Sequence, residues 1–92
     1  GMIMPTPDVV ATVNGVKYRC ESATVWWEIA NPLTPPDRVM DGRLRAEVET
    51  SDGTSLTGLV VDGTMSEHRT VMTFIDQRGR TVRVEINTPE GK

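Results

Sequence analysis

Apolar and polar residues alternate in short runs along this chain, and each run stops at a glycine-bearing dipeptide or a proline cluster. Val9, Ala11 and Val13 alternate with polar or outward positions over residues 8–13, and Val16, Tyr18 and Cys20 do so over 16–21. A period of two is that of a strand with one face buried. Asn14-Gly15 lies between the two runs, and both residue types tolerate the positive φ that a two-residue hairpin needs at its centre. The register that follows sets Val13 against Val16, Ala11 against Tyr18 and Val9 against Cys20. These six share one face, while Lys17, Arg19 and Glu21 share the other.

Over residues 24–30 the same alternation puts Val25, Trp27 and Ile29 on the core face and Trp26 and Glu28 on the outer one. Core positions thus pass from even to odd numbers, which predicts a bulge or break at Ser22-Ala23. Residues 31–38 contain Pro32, Pro35 and Pro36 and read as a long loop, because proline cannot donate to a ladder. Residues 43–50 alternate again, with Leu44, Ala46 and Val48 against Arg43, Arg45, Glu47 and Glu49.

Two registers fit around Asp52-Gly53. A two-residue turn opposes Val48 to Thr57, Ala46 to Leu59 and Leu44 to Val61. A three-residue turn with a bulge faces Leu56, Gly58 and Val60 inward instead. The first is expected, because it keeps glycine out of the core. Gly63 is expected to open another connection, and the capping-box spacing of Thr64 and Glu67 predicts one helical or 3₁₀ turn over 64–69. Residues 69–76 are apolar on both faces, with Val71 and Ile75 on one and Met72 and Phe74 on the other, as in a central strand. Arg78-Gly79 then turns the chain into 81–88, where Val82, Val84 and Ile86 alternate with Arg83 and Glu85.

The pattern defines an all-β chain: a single domain over residues 8–88, an arm over 1–7 and a tail over 89–92. Six to seven strands in an antiparallel meander predict a small SH3-like or similar partly open β-barrel, since closure removes exposed strand edges. Two split sheets are the alternative. Length and composition agree, for 92 residues suffice for one domain. Val and Thr, stiff β-branched residues suited to a pleated surface, each occur twelve times.

Charge narrows the choice of partner. The net charge is −3 and the cations are interleaved with acids, which argues against nucleic acid, whose binders present a clustered basic face. No apolar run is long enough for a membrane span. Cys20 is the single cysteine and forms no internal disulfide. Residues 1–7 show neither the basic nor the apolar region of a leader, and the expected location is cytoplasmic.

Little remains for catalysis. Cys20 falls on an inward face, where a thiol packs and stays inert. His68 falls in a turn between Glu67 and Arg69, and Glu47 and Glu49 stand beside Arg43 and Arg45, where ion pairing is the expected use. No metal-ligand set and no phosphate loop is present, so the expectation is a non-enzyme with no metal and no cofactor. Two features are left for binding. An outward Trp26 beside Glu28 and the loop prolines Pro35 and Pro36 offers a surface for a protein or peptide partner, or for self-association as a homo-oligomeric subunit. Arg78, Arg80 and Arg83, with Arg69 on the adjoining strand, form an alternative anion site for a nucleotide or nucleic acid.

Overall fold

The computed structural model describes residues 7–29 and 42–89. Six strands run in chain order, β1 Asp8–Val13, β2 Val16–Ile29, β3 Gly42–Thr50, β4 Ser55–Met65, β5 Arg69–Asp76 and β6 Thr81–Asn87. Each pairs antiparallel with the next, and β6 pairs back onto β1, so the meander closes into a barrel. The helical turn expected over 64–69 is absent. β4 runs on to Met65, and the reversal into β5 is tight, with the Ser66 N–H donating to the Arg69 carbonyl at 2.8 Å.

The first hairpin has the register its Asn-Gly turn demands, Val13 opposite Val16 and Val9 opposite Cys20. Asn14 and Gly15 both take positive φ, 52° and 78°. The parity change in β2 is made by a bulge between Cys20 and Ser22, just ahead of the expected Ser22-Ala23. A second bulge, between Val60 and Asp62, carries β4 through the region where a connection at Gly63 was expected.

The other two glycine turns are of a different kind. At both, the Gly N–H donates to the carbonyl three residues back, Gly53 to Thr50 and Gly79 to Asp76, each at 3.0 Å. The residues on either side close the loop, with Thr50 N–H on the Thr54 carbonyl and Asp76 N–H on the Arg80 carbonyl. Only the glycines have positive φ, 89° and 77°. These are three-residue turns ending in a glycine bulge. The consequence for β4 is a correction: Val48 lies opposite Leu56 and Ala46 opposite Gly58. Gly58 is therefore an inward, buried residue.

The core is built from the inner faces of the strands. Val9, Ala11, Val13, Ala46, Val48, Met72, Val82 and Val84 are buried around Phe74, the largest side chain with no exposed surface. Leu56, Val60 and Ile86 pack against them, half-buried. On β5 the outward Val71 and Ile75 are only partly covered, so the strand is buried on one face rather than two.

Candidate functional site

The strands differ in length, and that difference makes the site. β1 has six residues and β2 fourteen. β1 meets β2 only from Val13 opposite Val16 to Val9 opposite Cys20. On its other side β3 meets β4 only up to Arg45 opposite Leu59. Among the described residues, the far parts of β2 and β3 therefore pair with each other alone from Trp27 opposite Leu44 to Ile29 opposite Gly42, with Trp26 and Arg45 at the base of this stretch. They form a two-stranded ribbon that leaves the barrel at the end opposite the three glycine turns.

This corrects the expected placement of Trp27. Alternation is kept, since Val25, Trp27, Ile29 and the cross-strand Leu44 share the inner face. That face has run past the barrel, so its residues are exposed instead of buried. Trp27 is 47% exposed and Leu44 40%. Gly42 is shaped to the indole: a Cβ there would stand 2.7 Å from Trp27 Cε2 and 2.6 Å from the Glu28 carbonyl oxygen. Nothing larger than glycine fits beneath the ring.

Trp26 lies on the outer face, as its parity requires, and is 37% exposed. Its row contains Glu28, Arg43 and Arg45, and Arg45 Nε lies 3.6 Å from Glu28 Oε2 in a diagonal ion pair. Pro35 and Pro36 lie outside the described residues. The ribbon thus has one apolar face and one face of an aromatic among paired charges. Val61 and Met65, on the part of β4 that pairs only with β5, add exposed apolar surface at the same end.

The arginines are not brought together. Arg78 and Arg80 sit on the β5–β6 turn, at the opposite mouth. Arg69 starts β5 and bonds Glu85, its Nε at 2.8 Å. Arg83 lies on the outer face of β6 between Thr12 and Thr73. Val16 and Tyr18, expected among the core, also lie at the mouth and are exposed, because β3 joins β2 only from Cys20 onward.

That mouth is a cavity of about 380 Å³ lined by Val13, Tyr18, Thr50, Leu56, Asp76 and Arg80 among others. Its carboxylates are occupied in holding the turns. Asp76 accepts the N–H of Arg78 at 2.9 Å and of Arg80 at 2.8 Å on one oxygen, and Arg80 Nε at 2.8 Å on the other. Asp52 accepts the Thr50 hydroxyl and, at 3.0 Å, the Thr54 N–H. Cys20 is buried, its Sγ 3.6 Å from the Tyr18 carbonyl, and desolvation raises its thiol pKa. Among the described residues no helix is long and apolar enough to cross a membrane, and no three His, Cys, Asp or Glu gather as metal ligands.

Three carboxyls are held below their ordinary pKa. For Asp52 the Thr50 hydroxyl is the main cause. For Asp76 desolvation pushes upward, but the bonds from Arg80 and Arg78 outweigh it. For Glu85 the Arg69 guanidinium dominates. A carboxyl with a depressed folded pKa stabilises the fold above its unfolded value, near 4, and loses that contribution as pH falls through the folded value. Acid should therefore lower the urea midpoint below about pH 4, and Asp76→Asn should flatten the dependence. An identical acid limb in Asp76→Asn would show that Asp76 is not part of it.

Comparison with family models, with curated proteins and with solved structures gives no match to this chain. Fold and site together define a closed six-stranded all-β barrel carrying an apolar two-stranded ribbon.

Proposed function

We propose that this chain is a non-catalytic binding module that takes up an extended polypeptide on the β2–β3 ribbon. One observation carries the reading: the side chains of Val25, Trp26, Ile29 and Leu44 are all exposed on the part of β2 and β3 where, among the described residues, β1 no longer pairs with β2. An extended chain laid on such an edge gains main-chain hydrogen bonds, and its alternate side chains gain an apolar floor. The carboxylates of the other mouth are committed to turns, and the thiol of Cys20 is buried, which supports a binding role over chemistry. A lone buried cysteine also suits a reducing, cytoplasmic setting.

The test uses a built-in reporter, because both tryptophans of the chain lie on the ribbon. Extended peptides of about six residues with alternating apolar side chains should shift the tryptophan emission to the blue on titration. The same peptides with methylated backbone nitrogens should not bind. Ile29→Lys should weaken binding by at least about tenfold with the barrel intact. Equal affinity in Ile29→Lys, or no emission change with any such peptide, would overturn the reading.

A further inference from the structure

The cavity of about 380 Å³ at the glycine-turn mouth is lined by described residues throughout. Pro7, Ile29, Gly42 and Pro89, which bound the described segments, all lie at the strand ends away from it. Two of its loops are pinned from within. Asp52 accepts from the Thr50 hydroxyl and the Thr54 N–H across one turn. Asp76 holds the N–H groups of Arg78 and Arg80 across the other. A rim fixed in this way is already formed, so a ligand does not have to order it. The volume stands at the lower end of the range for small-molecule sites and suits a ligand of about one or two small rings.

The turns do not use every polar group. Among the described residues, no hydrogen bond or ion pair engages the side chains of Tyr18, Ser55, Gln77 or Arg78, all of which line the cavity.

Charge and polarity of the lining select among ligands. Asp52 and Asp76 balance Arg78 and Arg80, so the wall carries no net charge. A phosphate or nucleotide would face two carboxylates, and one of the two guanidiniums is already bound to Asp76. A wholly apolar ligand would strip water from those charges and from the hydroxyls of Tyr18, Thr54 and Ser55. A metal ion finds no three ligating side chains gathered among the described residues.

A neutral ligand rich in hydroxyls meets none of these obstacles. Each hydroxyl both donates and accepts, so it satisfies carboxylates, guanidiniums and wall hydroxyls alike. The C–H face of a sugar ring also needs an apolar counterpart, and Tyr18, Val13 and Leu56 supply one. Tyr18 is 38% exposed, a large ring left open because β3 joins β2 only from Cys20 onward.

We propose that this mouth binds a neutral pyranose sugar, stacked on Tyr18 and hydrogen-bonded at its edge by Arg78 and the rim hydroxyls. This is a second site, at the opposite end from the ribbon, and neither reading needs the other.

Glycine amides read the site directly. Gly15, Gly53 and Gly79 occupy the three turns of the mouth, whereas Gly42 and Gly63 lie at the other end. The full chain is titrated with glucose, galactose, maltose and cellobiose and followed by proton–nitrogen correlation spectra. At least one of these sugars should move the Gly53 and Gly79 peaks and leave those of Gly42 and Gly63 in place. So small and polar a ligand should saturate the shifts at about millimolar concentration. Tyr18→Ala and Arg78→Ala should each weaken the response at least about tenfold. Arg78→Ala keeps the backbone N–H that Asp76 holds, so the turn survives it. Ile29→Lys, on the ribbon, should leave the sugar response unchanged.

Rim peaks that stay still with all four sugars overturn the proposal. So does a response that neither Tyr18→Ala nor Arg78→Ala weakens, or one that Ile29→Lys abolishes. Saturable binding of adenosine monophosphate that fades with salt, in place of sugar binding, overturns the neutral class of ligand. Peptide titration of the tryptophan emission tests the ribbon separately, so either site can fail alone.

Discussion

Gly58→Ala should cost this barrel about 3 kcal/mol or more, at or beyond the upper end of ordinary overpacking. Gly58 has no unusual φ, so freedom of the backbone is not the reason. The reason is distance. A Cβ at this position would meet the carbonyl oxygen of Ile75 and stand 2.6 Å from its carbonyl carbon and 2.9 Å from Asp76 Cα. All three are backbone atoms of β5, which cannot rotate aside as a side-chain tip does. Relief requires β4 and β5 to separate at a paired position, Gly58 opposite Asp76. Asp76 anchors the following turn through Arg78 and Arg80, so the strain spreads into the β5–β6 hairpin. Urea unfolding followed by circular dichroism measures the loss. A midpoint within experimental error of the parent would mean the strands part easily there.

The same glycine shows where sequence reasoning succeeds and fails. Alternation located all six strands, and Asn14-Gly15 specified its register, because a turn with two positive-φ residues admits one pairing. Asp52-Gly53 admits two. Keeping glycine from the core selected the wrong one, for that rule weighs only how glycine fills space and ignores how closely two backbones approach. Side chains flanking the glycine held the better signal. Asp52 caps Thr54 N–H and Asp76 caps Arg80 N–H, and in both hairpins the carboxylate supports a three-residue loop. Helix at 64–69 failed for a related reason: Thr64 and Glu67 have capping-box spacing, but Thr64 is still paired with β5 in a strand that runs to Met65, and Glu67 lies in the tight reversal that follows.

The binding ribbon was legible in part. Parity correctly separated Trp26 from Trp27, yet parity assigns a face and says nothing of whether the barrel still lies beneath it. Strand length says that. Pro7 limits β1 to six residues, whereas the run starting at Val16 continues to Ile29. Among the described residues the excess has no β1 beside it, and Trp27 falls inside the excess. The arginines misled in the opposite sense, since closeness in sequence near Gly79 did not bring Arg69 or Arg83 to Arg78. Arg69 and Arg83 instead flank Glu85 on the outer wall.

Stability and binding should separate cleanly between Phe74 and Ile29. Phe74 has no exposed surface and lies between Val60 and Val82 at the centre of the core. Truncating it to alanine removes a ring that the closed wall cannot collapse to replace, at about 3–5 kcal/mol. A domain of this size holds about 5–15 kcal/mol in all, so Phe74→Ala should be largely unfolded when warmed and should lose peptide binding with its fold. Ile29 sits where the ribbon has left the barrel, so Ile29→Lys should stay within about 1 kcal/mol of the parent. Its peptide response should nevertheless fall, because a charge then stands on the apolar floor of the edge. If the core carried the binding surface, the two losses would track each other across both variants. If the ribbon carries it, Ile29→Lys loses binding at full stability, and the urea midpoint and the emission titration, measured on the same samples, read the difference directly.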